Sequence, residues 1–452
     1  MSLRRPPSSA RDTVGVAAIA AAVRVMIVAW AASRFPPSGD GQYYAKLAGR
    51  VAEGLGYTWA WPDGVVTYAA HYPVGYPALV ALAYRVLGPT PASAMWLNAL
   101  LGTLATVAAH RILVGRTTRV RAWLGALVVA LHPALLMYTP AFMTEGVTAS
   151  LLVIALALVL DRSRVGFVLG AIVLGIATLV RPQCLLLAPA LGLVAGAKTT
   201  WRGSAIRAVG ATAMVLAVCA PWTARNCARM NRCALVSVNG GWNLLIGVQT
   251  TTGGWEELDV PENCREVFDE AGKDACFDRA AKERIAAAPS AWLARAPQKL
   301  AVTFDYFGAA PWYLHMANGA SFTEEDKLSL ATIETVVSRL LLAAALLTVG
   351  LRARRHPVRA ASIAVLVATA VGVVFALSRH AWPAYVIFAA LGVVELSRAR
   401  DRVLGFGVAV VAATLFTHAV FFGAGRYGLV VVPFISLLPF ARREMRVGAS
   451  VR

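Results

Sequence analysis

Charged residues are scarce in this chain, and carboxylates are the scarcest of them. Only 15% of the 452 residues are charged while 58% are hydrophobic, and 24 acidic residues stand against 43 basic ones. Together with a mean hydropathy of +0.62, this balance excludes a soluble globular domain and predicts an integral membrane protein. No repeat of fixed period is visible either, so a solenoid is not predicted.

The basic residues are not gathered into one patch with aromatic side chains, so the net charge of +19 does not indicate a nucleic-acid partner. They lie instead in short connectors between apolar runs, for example Arg116, Arg119 and Arg121. Short connectors rich in arginine face the cytoplasm in membrane proteins. The pattern therefore predicts cytoplasmic N- and C-termini, an even number of spans, and a multi-pass protein of a bacterial-type inner or plasma membrane.

Apolar runs predict an all-α polytopic protein with about twelve spans and a range of eleven to thirteen, because several runs are shorter than the ~20 residues of a straight span. The runs cover residues 14–34, 94–115, 121–139, 142–160, 165–180, 184–197, 205–221, 331–350, 358–377, 381–397, 403–421 and 427–441. The first is predicted to be an uncleaved anchor. Arg24 lies within it, where a charge needs a polar interior or a partner on another helix.

Two longer polar segments, 35–93 and 222–330, fall on the predicted outer side. The first is a loop within an N-terminal membrane region, 1–221, and the second separates that region from a C-terminal membrane region, 331–452. The second segment holds fourteen of the 24 acidic residues. The alternation in 234–238 predicts a strand, and residues 262–307 read as helices broken at prolines, so a small extracytoplasmic α/β module is predicted.

Four of the six cysteines, Cys227, Cys233, Cys264 and Cys276, lie in that outer segment, where an oxidising compartment permits disulfides. Three pairings are open. A zinc site is the competing interpretation, but no histidine lies between these cysteines, and zinc ligands usually follow a tighter spacing.

Asp40 is the first candidate catalytic residue. It stands between Gly39 and Gly41 and is followed closely by Tyr43 and Tyr44. A carboxylate at the mouth of a membrane protein indicates function, although a loop aspartate that solvates a turn is the alternative. Glu145 begins the fourth span on the same side. Its alternative role is to stabilise the positive N-terminal end of that helix.

Arginines lie at three outer span ends: Arg181, Arg225 beside Asn226, and Arg426 beside Tyr427. The planar fork of arginine suits phosphate, so several at one membrane level would form an anion pocket. Anchoring to lipid headgroups is the alternative for each. His71 precedes a short helix and is either a ligand contact or a structural histidine.

These elements resemble, in order and in membrane side, the polytopic glycosyltransferases of the C-type fold, in particular the family 39-like group of protein O-mannosyltransferases and lipid A aminoarabinose transferases. The matching pieces are Gly39–Tyr44, His71–Pro77, His132-Pro133, Thr144-Glu145, Thr178–Pro182, Pro221–Asn226, Asn239–Leu244 and Arg426-Tyr427 with Pro433. Together they extend over nearly the whole chain.

The resemblance implies a C-type glycosyltransferase fold and transfer of a sugar from a polyprenyl-phosphate carrier at the extracytoplasmic face. It implies Asp40 as the catalytic acidic residue and Glu145 as a second one. Substrate-binding roles fall on the matched positions Tyr43, Tyr44, His71, Arg181, Arg225, Asn226, Asn239, Trp242, Arg426 and Tyr427. Asp40 is followed by Gly41 where protein mannosyltransferases often carry an acidic pair, so the acceptor stays open between lipid, glycan and protein.

The chemistry of these residues is consistent with a single displacement at an anomeric carbon. Asp40 would take the proton of the acceptor hydroxyl, and the arginines would hold the leaving phosphate, with inversion at the sugar. No cofactor is required, and a divalent metal between Asp40 and Glu145 is left open. The rival classes are a transporter or flippase and a lipid-linked oligosaccharide polymerase or ligase.

Overall fold

The computed structural model describes residues 10–161, 163–196, 200–305, 308–353, 357–375, 381–396 and 401–441, and helices dominate it. In the first half of the chain the helices are α1 (Ala10–Ala31), α2 (Asp40–Ala52), α3 (Gly75–Leu87), α4 (Pro91–Leu113), α5 (Arg119–Leu131), α6 (Pro133–Met137), α7 (Thr144–Leu160), α8 (Arg164–Val180), α9 (Ala188–Ala195) and α10 (Trp201–Arg229). In the second half they are α11 (Gly240–Gln249), α12 (Glu270–Ala287), α13 (Pro289–Ala294), α14 (Ala296–Phe304), α15 (Ala309–Ala317), α16 (Glu324–Ala353), α17 (Pro357–Phe375), α18 (Trp382–Leu396), α19 (Arg402–Val420) and α20 (Val432–Leu437).

Each predicted apolar run overlaps a helix or a helix joined to a short 3-10 turn, such as Pro182–Leu187 before α9 and Gly425–Val431 before α20. Five of the described helices are long and apolar enough to cross a membrane by themselves: α1, α4, α10, α16 and α19. The chain is an integral membrane protein, as its composition predicts. Residues 1–9 and 442–452, the termini predicted to be cytoplasmic, lie outside the described residues.

The predicted strand at 234–238 is wrong. The described residues contain one pair of strands, β1 (Thr58–Ala60) and β2 (Val66–Tyr68), which run antiparallel in the first outer segment. The 234–238 stretch is an irregular loop because side chains take its carbonyl groups: Trp222 Nε1 donates to Val236 O at 2.7 Å, and Thr223 Oγ1 donates to Leu235 O at 2.9 Å. A stretch of alternating apolar residues forms a strand only where a neighbouring strand can form hydrogen bonds with its backbone.

The described part of 222–330 is therefore helical rather than α/β. Its helices α11 and α12 pack around a small core that includes Leu245, Phe277 and the cysteine pair Cys264–Cys276. Cys227 pairs with Cys233 across the turn that follows α10. The predicted helix break at Pro289 coincides with the start of α13.

The segment of α13 and α14 also joins the membrane helices. Lys299 is fully buried, and its Nζ donates to the carbonyls of Ala419 and Val420 at 3.4 and 3.1 Å. These carbonyls belong to the last turn of α19, where the helix dipole favours a cation. The residues of 240–304 are thereby held against the end of the bundle that carries Asp40.

Arg24 is buried at 3% exposure, and its Nη1 donates to Ala20 O at 3.2 Å. Its side chain lies against Gly102 of α4 and lines a cavity of about 30 Å³ that Asn98 and Ser150 share. The mid-span arginine thus lies against another helix and beside a small cavity of mixed lining, with the Ala20 carbonyl as its hydrogen-bond acceptor.

Candidate active site

Glu145 is the buried centre of a group of charged side chains. It lies in the first turn of α7 and is 1% exposed. Its Oε2 accepts a hydrogen bond from Tyr138 Oη at 3.0 Å, and its Oε1 accepts one from Arg181 Nη1 at 2.7 Å. Two donors and the positive end of the helix compensate for burial of the carboxylate.

Asp40 lies in the first turn of α2, and each of its oxygens has a different neighbour. Arg426 Nη2 is 2.7 Å from Oδ2, and Tyr72 Oη is 3.4 Å from Oδ1. Arg426 Nε is also 3.4 Å from Glu145 Oε1. The guanidinium of Arg426 therefore links the two acidic residues, while the Asp40 side chain stays one-third exposed at 33%.

The two glycines beside Asp40 explain how the carboxylate reaches this position. Gly39 has φ +54°, a conformation that other residues rarely adopt. A Cβ on Gly41 would lie 2.7 Å from Phe142 Cβ, so only glycine lets α2 begin against the loop that leads into Glu145. Tyr313 fastens the same contact, because its hydroxyl accepts from Phe142 N at 3.0 Å and from Ser38 N at 3.3 Å.

Tyr427 orders the two arginines. The guanidinium carbons of Arg181 and Arg426 lie 4.8 and 5.3 Å from its ring centroid. His418 of α19 stacks on the same ring at 4.4 Å with an interplanar angle of 16°. Cation–π contacts of this kind hold a guanidinium in place without using its hydrogen-bond donors.

A row of aromatic rings extends from Asp40 toward the helices of 240–304. The aromatic row consists of Trp59, Tyr43, Tyr72, His71 and Trp242. Neighbouring ring centroids are 5.0 to 6.0 Å apart, with Tyr43 stacked on Tyr72 and the other contacts edge to face. Tyr44 lies beneath the row, buried against Tyr72 and Tyr76.

Burial shifts the pKa values of Tyr72 and His71, the two rings of the row that lie on the loop before α3. Burial, followed by the charge of Asp40, raises the pKa of the Tyr72 phenol, so Tyr72 remains a donor to that carboxylate. Burial lowers the pKa of His71, although the nearby carboxylates of Glu270 and Asp274 oppose the shift. His71 is therefore neutral at physiological pH and contributes a ring face rather than a charge.

The structure does not bring Arg225, Asn226 and Asn239 to the carboxylates. Arg225 donates to the carbonyls of Tyr57 and Ala69, both at 2.8 Å. Asn226 donates to the carbonyls of Ala234 and Val236. The Asn239 side chain accepts from Ser237 Oγ at 2.8 Å. These polar groups hold loops of the outer segments.

Glu270 is a residue that the sequence does not single out. Its Oε1 accepts from Trp59 Nε1 at 2.6 Å, and its Oε2 accepts from the backbone nitrogens of Ala70 and His71 at 2.6 and 2.9 Å. These partners lie about 200 residues earlier in the chain, so no local pattern could have indicated them. Glu270 joins α12 to the loop that carries the aromatic row.

Substituting Glu270 with Ala should loosen that loop without changing the contacts of Asp40 and Glu145. Hydrogen bonds to a charged group contribute about 1.5–3 kcal/mol, so hydrogen exchange at Ala70 and His71 should rise at least about tenfold. Glu283→Ala, an exposed position of the same helix, is the matched control. Unchanged exchange in Glu270→Ala would contradict its role as the anchor of the loop.

A divalent metal does not fit between Asp40 and Glu145 as the structure arranges them. Arg426 contacts both carboxylates, and a cation there would meet its positive charge. Among the described residues, no three side chains of histidine, cysteine, aspartate or glutamate come together as metal ligands.

No protein-family model matches the chain, and no curated protein matches it. Among solved structures it is similar to the oligosaccharyltransferase of Archaeoglobus fulgidus in the apo form, with 14% identity, a TM-score of 0.49, and coverage of 94% of this chain and 50% of that one. It is also similar to ArnT from Cupriavidus metallidurans bound to undecaprenyl phosphate, with 12% identity, a TM-score of 0.38, and coverage of 95% and 78%. A third is the arabinosyltransferase EmbB from Mycobacterium smegmatis, with 15% identity, a TM-score of 0.32, and coverage of 88% and 41%.

These neighbours are glycosyltransferases of the C-type fold, the group that the sequence motifs resemble. The chain spans about half the length of the archaeal oligosaccharyltransferases it matches. The geometry of the site, rather than this likeness, is the basis for the roles assigned to individual residues.

Proposed function

We propose that this protein is a membrane glycosyltransferase that moves a sugar from a polyprenyl-phosphate carrier to an acceptor at the extracytoplasmic face. The observation that carries the proposal is the continuous contact from Tyr72 through Asp40, Arg426 and Glu145 to Arg181. In this chain of contacts the accessible carboxylate of Asp40 meets Arg426, and Glu145 links Arg426 to Arg181. A proton acceptor next to a phosphate pocket is what a single displacement at a sugar phosphate requires.

The arginines keep donors for a phosphate. Arg181 Nε has no hydrogen-bond partner in the described part of the chain, and Arg181 Nη1 is shared between Glu145 and Thr144. Arg426 uses Nη2 for Asp40 and points Nη1 at the sulfur of Met143 at 3.5 Å. A sulfur atom is a weak acceptor, so an incoming phosphate oxygen would replace it with a stronger, charge-assisted bond.

Asp40 acts as the general base in this proposal. Arg426 and Tyr72 each occupy one site on a carboxylate that has about four lone-pair sites, so the exposed side chain can still accept the acceptor hydroxyl. The acceptor oxygen forms a bond with the anomeric carbon while the bond from that carbon to the phosphate oxygen breaks. The hydroxyl proton passes to Asp40, the leaving phosphate keeps the electron pair against the arginines, and the sugar inverts.

The phosphate pocket is tested by ligand binding without turnover. We expect polyprenyl monophosphate to raise the unfolding temperature of the purified full-length protein, because a ligand that binds only the folded state stabilises it. The uncharged polyprenol of the same length serves as the control for insertion into the detergent micelle. Equal shifts with the phosphate and the alcohol would contradict a phosphate pocket.

The extracytoplasmic position of the site is tested by labelling. The free cysteines Cys184 and Cys219 are buried and are replaced by Ser to give the background. Lys46→Cys and Ala320→Cys, both exposed near the Asp40 end, should react with an impermeant maleimide in intact cells. Thr118→Cys, exposed before α5, should react only after permeabilisation, because its connector is rich in arginine. The reverse pattern would place the site in the cytoplasm.

A further inference from the structure

The aromatic row and Arg426 contact different oxygens of the Asp40 carboxylate. Arg426 binds Oδ2, whereas Tyr72, the middle ring of the row, approaches Oδ1. In a displacement, the acceptor and the leaving phosphate stand on opposite sides of the anomeric carbon. If Arg426 holds the phosphate, as the proposed function requires, the Asp40 oxygen that faces the aromatic row is the one left to take the proton of the acceptor.

Tyr43 is the accessible ring of the row. It is one helical turn after Asp40 on α2, so the two side chains point from the same face of the helix. One face of its ring is covered by Tyr72 at a centroid distance of 5.2 Å and an interplanar angle of 18°, and Trp59 meets it edge-on at 6.0 Å. Even so, Tyr43 is 45% exposed, which leaves its outer face open to a ligand.

An exposed aromatic face beside a base selects for an acceptor of particular chemistry. The C–H groups on one side of a sugar ring form a flat apolar surface that suits a tyrosine face, while the hydroxyl groups around the ring edge remain free for polar neighbours. A sugar seated on Tyr43 would direct a ring-edge hydroxyl toward Asp40.

We infer that Tyr43, supported by Tyr72 and Trp59, is the binding platform for a carbohydrate acceptor, so that the protein extends or decorates a glycan. The inference rests on the proposed function for the role of Asp40. Binding of the sugar to Tyr43 is a separate property and does not require turnover.

Saturation-transfer NMR on the full-length protein in nanodiscs tests the platform. The probes are methyl glycosides of mannose, galactose and arabinose, and a short peptide containing serine and threonine serves as the alternative acceptor. We expect transfer to the ring C–H protons of at least one glycoside in the wild type, loss of at least about 80% of it in Tyr43→Ala, and retention in Tyr43→Phe, because stacking does not use the hydroxyl.

Tyr68→Ala is the matched control. Tyr68 is 43% exposed in the same outer segment, but its ring lies against Arg225 and Arg229 instead of the row, so the signal should stay unchanged. Equal signals in the wild type and Tyr43→Ala, the absence of any glycoside signal, or a Tyr43-dependent signal from the peptide alone would each overturn the inference.

A second experiment distinguishes a donor sugar from an acceptor sugar at Tyr43. It also separates failure of the platform from failure of the proposed function. If the platform instead binds the donor sugar, Tyr43→Ala will weaken binding of a polyprenyl-phosphate sugar relative to polyprenyl monophosphate. An acceptor platform leaves that ratio unchanged. A glycoside signal that depends on Tyr43, in a protein whose Asp40→Asn variant retains full transfer, refutes the role of Asp40 and keeps the platform. If Asp40→Asn is inactive but glycoside binding does not depend on Tyr43, the role of Asp40 stands and the platform is refuted.

Discussion

Asp40→Asn is expected to lower sugar transfer at least ~100-fold, the loss typical of removing a general base. Asparagine keeps the size of the side chain and an oxygen for Tyr72, but it cannot take the proton of the acceptor. Binding of polyprenyl monophosphate should change little, because the arginines keep Glu145 and Tyr427 as partners. The measurement is the initial rate of transfer in membranes with equal amounts of the two proteins.

Two carboxylates of the same outer segment serve as controls. Glu53 is exposed just after α2, and Asp63 is exposed in the β1–β2 turn, where it accepts from Val65 N at 3.0 Å. Glu53→Gln and Asp63→Asn should retain most of the transfer rate. If Asp40→Asn behaves like these controls, Asp40 is a residue of the turn, and the base must be another group.

Arg426→Ala has the second large expected effect, and it acts on the donor. Arg426 contacts Asp40, Glu145 and the ring of Tyr427, and one lost charge-assisted hydrogen bond costs about 1.5–3 kcal/mol. Transfer should therefore fall by roughly 10- to 150-fold, and the thermal shift with polyprenyl monophosphate should shrink. Arg426→Lys should recover only part of the loss, because an ammonium group lacks the planar fork.

Arg34→Ala is the control for Arg426. Arg34 is exposed after α1, at the Asp40 end of the bundle; it donates to the carbonyl of Trp30 at 2.7 Å and lies over the ring of the same residue. A general loss of surface charge would affect both variants alike. Equal losses of transfer at equal membrane abundance would contradict the assignment of Arg426 to the phosphate.

The residues that the sequence correctly predicts to lie together are those at the ends of apolar runs. Asp40, Glu145, Arg181 and Arg426 each lie beside a span end on the same predicted side, and the structure brings all four into one cluster. All spans cross the same hydrocarbon thickness, so residues at their ends on one side lie at a similar level. Because of that constraint, residues far apart in the sequence can be predicted to lie at the same membrane level before their packing is known.

The contacts that sequence reasoning missed have no such constraint. Tyr313 joins Ser38 and Phe142, which lie 275 and 171 residues earlier in the chain, and Glu270 holds a loop 200 residues earlier. Arg225 is a different case. It lies at a span end like the others, but its guanidinium turns toward the carbonyls of Tyr57 and Ala69. The direction in which a long side chain points depends on neighbours that only the fold supplies.

The central claim is that Asp40 is the general base for transfer of a sugar from a lipid phosphate. Its most direct test follows radiolabelled sugar in membranes that contain polyprenyl-phosphate sugars and this protein. The account predicts that label leaves the lipid carrier and appears in an acceptor other than that carrier in membranes with the wild type, and that it remains on the carrier with Asp40→Asn. Label that stays on the carrier in both membranes, or leaves it equally fast in both, would contradict the account.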